Sequence, residues 1–422
     1  MREVRIDGGG GAPGGQGRAG GAGALLRGVL LPAAQALPPD YVAFQVWDAA
    51  QGLCSYVRGM LVQVALLEGL GVGRAGSTAA AAALQSFWKD ASGQVTGVAF
   101  ATCGAPAFDV RPKQFRFLAD CLNNVGLLCS LLAPRLAGAG LFLPLACAGS
   151  ACAAACGVAA GASRAAFGQH FARGGAGIGL ADLQAKEGVQ ETAVSLLGAT
   201  LGTLVLHIAG NSLLLHWAVF AALTFAHLFF NARAVRSLSL ATLNQSRLDL
   251  ALRGYIDSKG KAPSPADVAA QEDLLPPLVA RFLDWDPEPC IFLGARLESL
   301  RRASGGGVIE LARRSSGPFL CRASSGDILV GLFDSNTPAP PAAETFWAFC
   351  LAAAARHYLR SNEWSQAERD ALEWVKSEQR TGDFEAALRR AGWLVDDVMS
   401  GAERALEAGP WRLHPGRNEQ ER

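Results

Sequence analysis

The sequence predicts a mainly α fold, with a transmembrane bundle of about six helices followed by a small soluble α+β domain. The first observation is how charge is partitioned. The 422-residue chain holds 38 Lys+Arg and 37 Asp+Glu, a formal net charge of +1. Only 16 of these fall in the 173 residues from Gly59 to Asn231, leaving 59 for the other 249. The second is two charge-free runs, Leu136–Ser163 (28 residues) and Thr192–Ala232 (41 residues). A helix needs about 20 apolar residues to cross the hydrocarbon core. The first run therefore fits one crossing and the second two, with a turn at Gly210-Asn211-Ser212. The third is that the chain beyond Arg233 returns to the charge density of an ordinary soluble domain, about 25%. The near-neutral balance argues against a nucleic-acid partner, which selects a basic surface.

Taken in order, residues 1–24 are dominated by Gly, Ala and Pro and are expected to be disordered. Glu3, Asp7 and the absence of serine there count against a transit peptide, and no secretory signal precedes the first helix. Leu25–Pro32 reads as a short interfacial helix. The helical membrane domain is placed at 25–247, with helices near 42–70, 77–103, 112–133, 138–170, 183–209 and 212–237. Met60–Leu67 supplies the apolar part of the first. Alanines 79–83 open the second, which Lys89-Asp90 interrupts. Pro112 opens the third, because a proline lacks only an N–H that the first turn leaves unpaired anyway. Residues 248–275, containing KGKAPSPA, read as a linker, and 276–410 as the soluble α+β domain. There, Phe319–Cys321 and Ile328–Phe333 flank Ser324-Ser325-Gly326-Asp327 as a hairpin. Helices follow at 343–358, 364–379 and 383–408, and 411–422 form a polar tail.

Three helices carry polar stripes at helical spacing. Gln45, Asp48, Gln51, Ser55 and Arg58 share a face of the first, and Lys113, Arg116, Asp120 and Asn124 one of the third. Glu187, Glu191 and Ser195 share a face of the fifth, with Lys186 and Gln190 beside it. Ionisable groups at membrane depth face a bundle interior or a wet cavity and pair there. Asp48, Gln51, Arg58, Lys113, Asp120, Lys186, Gln190 and Glu191 are thus the candidates for a polar pathway or binding site. The alternative places these stripes at interfacial helix ends, in solvated or structural ion pairs. Gly69/Gly73, Gly157/Gly161 and Gly198/Gly202 match the small-residue spacing of close-packed membrane helices. Asp109-x-x-x-Lys113 and Asp182-x-x-x-Lys186 each open a helix and hint at an internal repeat.

Catalytic and metal signatures are missing. None of the ten cysteines forms a C-x-x-C pair, and Cys152 and Cys156 read as small packing residues. His207, His216 and His227 lie in apolar runs and read as buried, hydrogen-bonded side chains. There is neither a P-loop nor a G-x-S-x-G elbow. The expectation is no catalytic residue, no metal, no cofactor and no enzymatic activity.

Several blocks resemble the root UVB-sensitive (RUS) family. They are YVAFQVWDAAQGLCSYVRGMLVQVALLEGLGVG (41–73), WKDASG (88–93), FDVRPKQFRFLADCLNN (108–124), GASRAAFGQHFA (161–172), ADLQAKEGVQET (181–192) and NARAVRSLSLATLNQSR (231–247). They fall in order across about residues 25–335. Pro32-Ala33-Ala34-Gln35-Ala36 departs from the Gly-Tyr-Pro segment usual in the family. The resemblance implies a membrane protein with roles in UV-B response, development, and vitamin B6 or auxin homeostasis. It also implies partnership with another family member, as a homo- or hetero-oligomer, and it brings no catalytic residue.

Two functions follow. In one, the bundle carries or conducts a small molecule through a polar cavity and the C-terminal domain regulates it. In the other, the helices only anchor a scaffold whose soluble domain recruits proteins. The lipid bilayer is the expected partner in both, and a multi-pass membrane, plastid or endomembrane, the expected location.

Overall fold

The computed structural model describes residues 37–71, 78–108, 110–175, 179–210, 212–275, 290–307, 318–332 and 342–395. The expected disordered N-terminus, the helix at 25–32, Gly73, Asp109 and the polar tail lie outside them. Six long helices are present, close to the predicted bounds: α1 (Tyr41–Gly69), α2 (Ala79–Phe108), α3 (Pro112–Leu132), α4 (Phe142–Gly174), α5 (Leu180–Ala209) and α6 (Leu213–Ser237). Four of them, α3 to α6, are long and apolar enough to cross a membrane. Of the six helices expected to span, these four therefore meet the length and hydropathy of a crossing. The polar stripe of α1 and the Lys89-Asp90 step of α2 dilute their apolar character. Pro112 occupies the first turn of α3. The α5–α6 turn forms where expected, with Gly210 at φ +51° and the Ser212 hydroxyl capping Leu215 N–H of α6.

The helices alternate in direction, so the bundle has two ends. One end gathers Tyr41, Phe167, Phe171, Leu183 and Leu238; the other gathers Leu61, Val62, Leu131 and Phe220. The soluble domain sits at the first, here termed the cap end. Packing divides the bundle into two triplets. Helix α1 lies parallel to α5, with Gly198 against Tyr56 and Gly202 against Met60, and antiparallel to α6, with Gln51 meeting His227 and Arg58 meeting Thr224. Helix α4 lies parallel to α2, with Gly93 against Ser150 and Gly97 against Ala154, and antiparallel to α3, with Gly126 against Gly149. Each triplet is thus a central helix with one parallel and one antiparallel neighbour, and the central helices α1 and α4 run in opposite directions. In packing order and direction, α1-α2-α3 and α4-α5-α6 are thus inverted with respect to each other, with the first helices exchanged. The equivalent helices α2 and α5 both dock through a glycine pair four residues apart. The sequence hint at Lys113 and Lys186 relates α3 to α5, whereas the packing order sets α3 beside α4 in the place that α6 takes beside α1.

Beyond Leu238 the chain forms α7 (Gln245–Asp257) and α8 (Pro265–Ala269). Asn244 caps α7 by accepting from Arg247 N–H at 2.8 Å, and Ser264 with Asp267 forms a capping box on α8. Leu248, Leu252, Tyr255 and Val268 are buried in the same core as Phe346, Phe349 and Phe384. Residues 248–275 therefore belong to the soluble domain rather than to a linker, because α7 has an apolar face to bury. A three-stranded sheet completes the domain, in the order β1 (Ile291–Leu293), β3 (Ile328–Gly331), β2 (Phe319–Arg322). The expected hairpin is the antiparallel β2–β3 pair, and β1 adds in parallel with Ile291 opposite Ile328. Helix α9 (Leu297–Ala303) covers one side of the sheet, and α10 (Ala342–Tyr358) and α11 (Trp364–Thr381) follow. Helix α12 (Asp383–Arg390) ends in a turn where Gly392 takes φ +97°, which interrupts the helix expected over 383–408, and residues 396–408 lie outside the described ones.

Candidate functional site

The polar stripes of α1, α3 and α5 turn toward one another. With α4 they line a cleft of about 310 Å³ between the two triplets. Asp48, Gln51, Asp120, Gln190 and Glu191 are among its walls, together with Gln45, Ser55, Arg116, Asn123, Arg164 and Glu187. Arg116 reaches from α3 to α1, its Nη2 2.6 Å from Asp48 Oδ1 and 3.4 Å from Gln51 Oε1. Gln45 donates to Glu187 Oε1 at 3.0 Å and Asn123 donates to Ser55 Oγ at 3.1 Å. Arg164 pairs with Glu191 at 2.8 Å, with each side chain nearly half exposed, so the cleft reaches the surface there.

The depth of this cleft follows from helix length. Helices α4 and α5 hold 33 and 30 residues, about 50 and 45 Å at 1.5 Å per residue, against a hydrocarbon core of about 30 Å. Toward the cap end, the charge-free stretches of α4, α5 and α6 stop at Arg164, Glu191 and Arg233. The cleft therefore lies where apolar helix surface gives way to polar, as a vestibule under the soluble domain.

A second polar layer lies deeper. Arg58 is fully buried, donating to Asn124 Oδ1, to Thr224 Oγ1 at 3.0 Å and to the Cys54 carbonyl at 3.3 Å. His227 Nε2 is 2.8 Å from Gln51 Nε2 and 3.9 Å from Asp120 Oδ1, as expected for a hydrogen-bonded buried histidine. His207 is exposed instead, and His216 Nε2 has no hydrogen-bond partner. Arg58 Nη2, Asn124 Nδ2, His227 Nδ1 and both amide atoms of Asn231 are buried without one too. Thr224, His227 and Asn231 form a stripe on α6 that a search for charges overlooks, since all three are neutral or weakly basic. Arg116 and Glu187 were legible as stripe members, and Arg164 only as the residue ending a charge-free run.

Two candidates lie elsewhere. Lys113, 1% exposed, forms an ion pair with Glu272 at 2.9 Å, and Arg247 meets the same carboxylate at 3.0 Å. This network joins α3 to the soluble domain, reinforced by Asn244 donating to the Val110 carbonyl at 2.8 Å and Gln114 to the Asp273 carbonyl at 3.3 Å. Burial raises the Glu272 carboxyl, but Arg247 and Lys113 together hold it below its ordinary 4.5. Lys186 precedes Glu187 on α5 and is not among the cleft-lining side chains. At the cap end, Asp40 accepts from Ser239 N–H at 2.8 Å and faces His170 Nε2 at 2.9 Å, tying together the ends of α1, α4 and α6. No cluster of metal-ligating side chains occurs among the described residues.

Residues 19–259 match the family model described as "Vitamin B6 photo-protection and homoeostasis domain". The chain is 32% identical over 368 residues to Protein root UVB sensitive 3 of Arabidopsis thaliana, covering 86% of this chain and 80% of that one. It is 39% identical over 238 residues to RUS family member 1 of Dictyostelium discoideum, covering 56% of this chain and 44% of the relative. It is 28% identical over 281 residues to Protein root UVB sensitive 6 of Arabidopsis thaliana. This chain thus aligns with less than half the length of the Dictyostelium protein. No solved structure matches. The aligned span contains the whole bundle and the cleft, and on these grounds the chain belongs to the root UVB-sensitive family.

Proposed function

We propose that the bundle is a carrier for a small polar solute, working by alternating access, and that the soluble domain regulates it. One observation carries this reading: a polar cleft lies between two helical triplets of inverted topology. In carriers built this way, solute sites lie at the repeat interface and one triplet rocks against the other. Lipid-facing side chains such as Leu204, Ile208, Leu214 and Phe225 are strongly exposed on α5 and α6, as a bilayer-embedded surface requires. The Arg58 layer then forms the floor that separates the vestibule from the far end. The buried Lys113–Glu272–Arg247 network couples α3 to the soluble domain, which favours regulation over a detached scaffold. Roles in UV-B response and vitamin B6 homeostasis fit the family description and make B6 vitamers the first solutes to test.

The test is reconstitution of the full chain in proteoliposomes, with uptake of labelled vitamers and other small metabolites. Arg116→Met should reduce uptake at least about tenfold, since it leaves Asp48 unpaired in the cleft, while the protein still elutes as a folded species in detergent. Uptake unaffected by Arg116→Met, or a chain that moves no solute while its soluble domain still captures partners, would favour the scaffold reading.

A further inference from the structure

The charges of the cleft do not balance. Its walls carry four carboxylates, Asp48, Asp120, Glu187 and Glu191, against two guanidiniums, Arg116 and Arg164. Each guanidinium is committed, Arg116 to Asp48 at 2.6 Å and Arg164 to Glu191 at 2.8 Å. The bonded partner of Glu187 is the neutral Gln45 amide. Among the described residues, the counter-charges facing Asp120 are distant: Arg116 Nε and His227 Nε2, both at 3.9 Å. Its side chain is 5% exposed and its Oδ2 accepts no hydrogen bond. Arg58 does not redress this from inside the cleft, because it is not among the lining residues and its bonds go to Asn124, Thr224 and the Cys54 carbonyl.

A buried carboxylate without a close counter-charge is costly, and a ligand that supplies positive charge and donors removes the cost. The cleft volume of about 310 Å³ lies at the lower end of small-molecule sites and far exceeds what a bare metal ion needs. Phe44, Phe167 and Tyr56 share the walls, and aromatic surfaces both cover an apolar body and attract cations. We propose that the cleft takes a small organic ammonium ion, its charged head on Asp120 and its carbon frame against Phe44 and Phe167. This deepens the carrier reading and rests on the cleft being the solute site.

Three probes of one size and different charge test it: benzylammonium, benzoate and benzyl alcohol, each at millimolar concentration with the full chain in detergent. Benzylammonium should raise the unfolding temperature where the other two do not. Asp120→Asn should weaken that response at least about tenfold, a charge-assisted hydrogen bond being lost. Should Asp120→Asn fail to fold, Glu187→Gln, a half-buried wall position, should still weaken benzylammonium and leave the unliganded unfolding temperature near that of the unsubstituted chain. A response to benzoate or benzyl alcohol equal to that of benzylammonium overturns the cation assignment and leaves a solute cleft standing. Equal stabilisation by sodium ions also overturns it. Silence toward all three probes, with no solute flux in proteoliposomes, overturns the carrier reading as well.

Discussion

Glu272 shows how much one side chain can hold together. It is buried between Lys113 of the bundle and Arg247 of α7, with both cations within 3.0 Å. Removing it strands two buried cations, whereas removing Lys113 leaves the Arg247 pair intact. Glu272→Ala should therefore destabilise by about 3–5 kcal/mol and Lys113→Ala by less, in thermal unfolding of the detergent-purified chain. The pH dependence has a defined sign. Because the folded carboxyl titrates below its ordinary 4.5, its contribution is present above that value and is lost as pH falls through the folded pKa. As pH falls below about 4.5, the unsubstituted chain should lose more stability than Glu272→Gln. Equal losses would show that the network contributes nothing. Sequence spacing placed Lys113 on the correct face of α3 but in the wrong setting. Its partner lies 159 positions away, and helical periodicity carries no information across that separation.

At the scale of helices, glycine spacing alone did not separate packing from chance. Gly157 and Gly161 have the same spacing as Gly198 and Gly202, yet a Cβ added at either of the first two meets nothing within 4 Å. At Gly198 it would stand 2.5 Å from Tyr56 Cβ, and at Gly202 2.7 Å from Met60 Cγ. Replacing Gly198 and Gly202 with alanine should destabilise by about 1–3 kcal/mol at each site through overpacking. The same change at Gly157 and Gly161 should cost almost nothing, or stabilise slightly, because alanine favours helix. Comparing the two double variants in thermal unfolding checks this, and equal behaviour would rule out the α1–α5 contact. Gly93 and Gly97 of α2 repeat the arrangement against α4, a match invisible until the two helices are seen to be equivalent. The α6 stripe of Thr224, His227 and Asn231 was hidden for another reason. Uncharged polar residues do not interrupt a long apolar run, so the run reads as lipid-facing throughout.

The whole molecule raises the question of how many helices cross. If α1 and α2 cross with the four apolar helices, Thr78 and Ala139 share the far side and Gly179 lies on the cap side with the soluble domain. Cysteines placed singly at these positions, in a chain whose native cysteines are replaced, should react with an impermeant maleimide in two classes. Thr78→Cys should label with Ala139→Cys, and Gly179→Cys from the opposite face. Thr78→Cys labelling with Gly179→Cys would leave four crossings. The sequence by itself determined the membrane-like middle, six helix positions, the hairpin and the faces bearing Asp48, Asp120 and Glu191. Each of these depends on local periodicity and on the cost of burying charge, which a linear pattern records. Only the tertiary structure decided that Arg116 closes on Asp48, that Lys113 belongs to the domain junction and that one face of α7 and α8 joins the core of the C-terminal domain. It alone showed that two triplets run inverted about one cleft. Those outcomes depend on which helix lies beside which, and that is settled by packing between segments far apart in the chain.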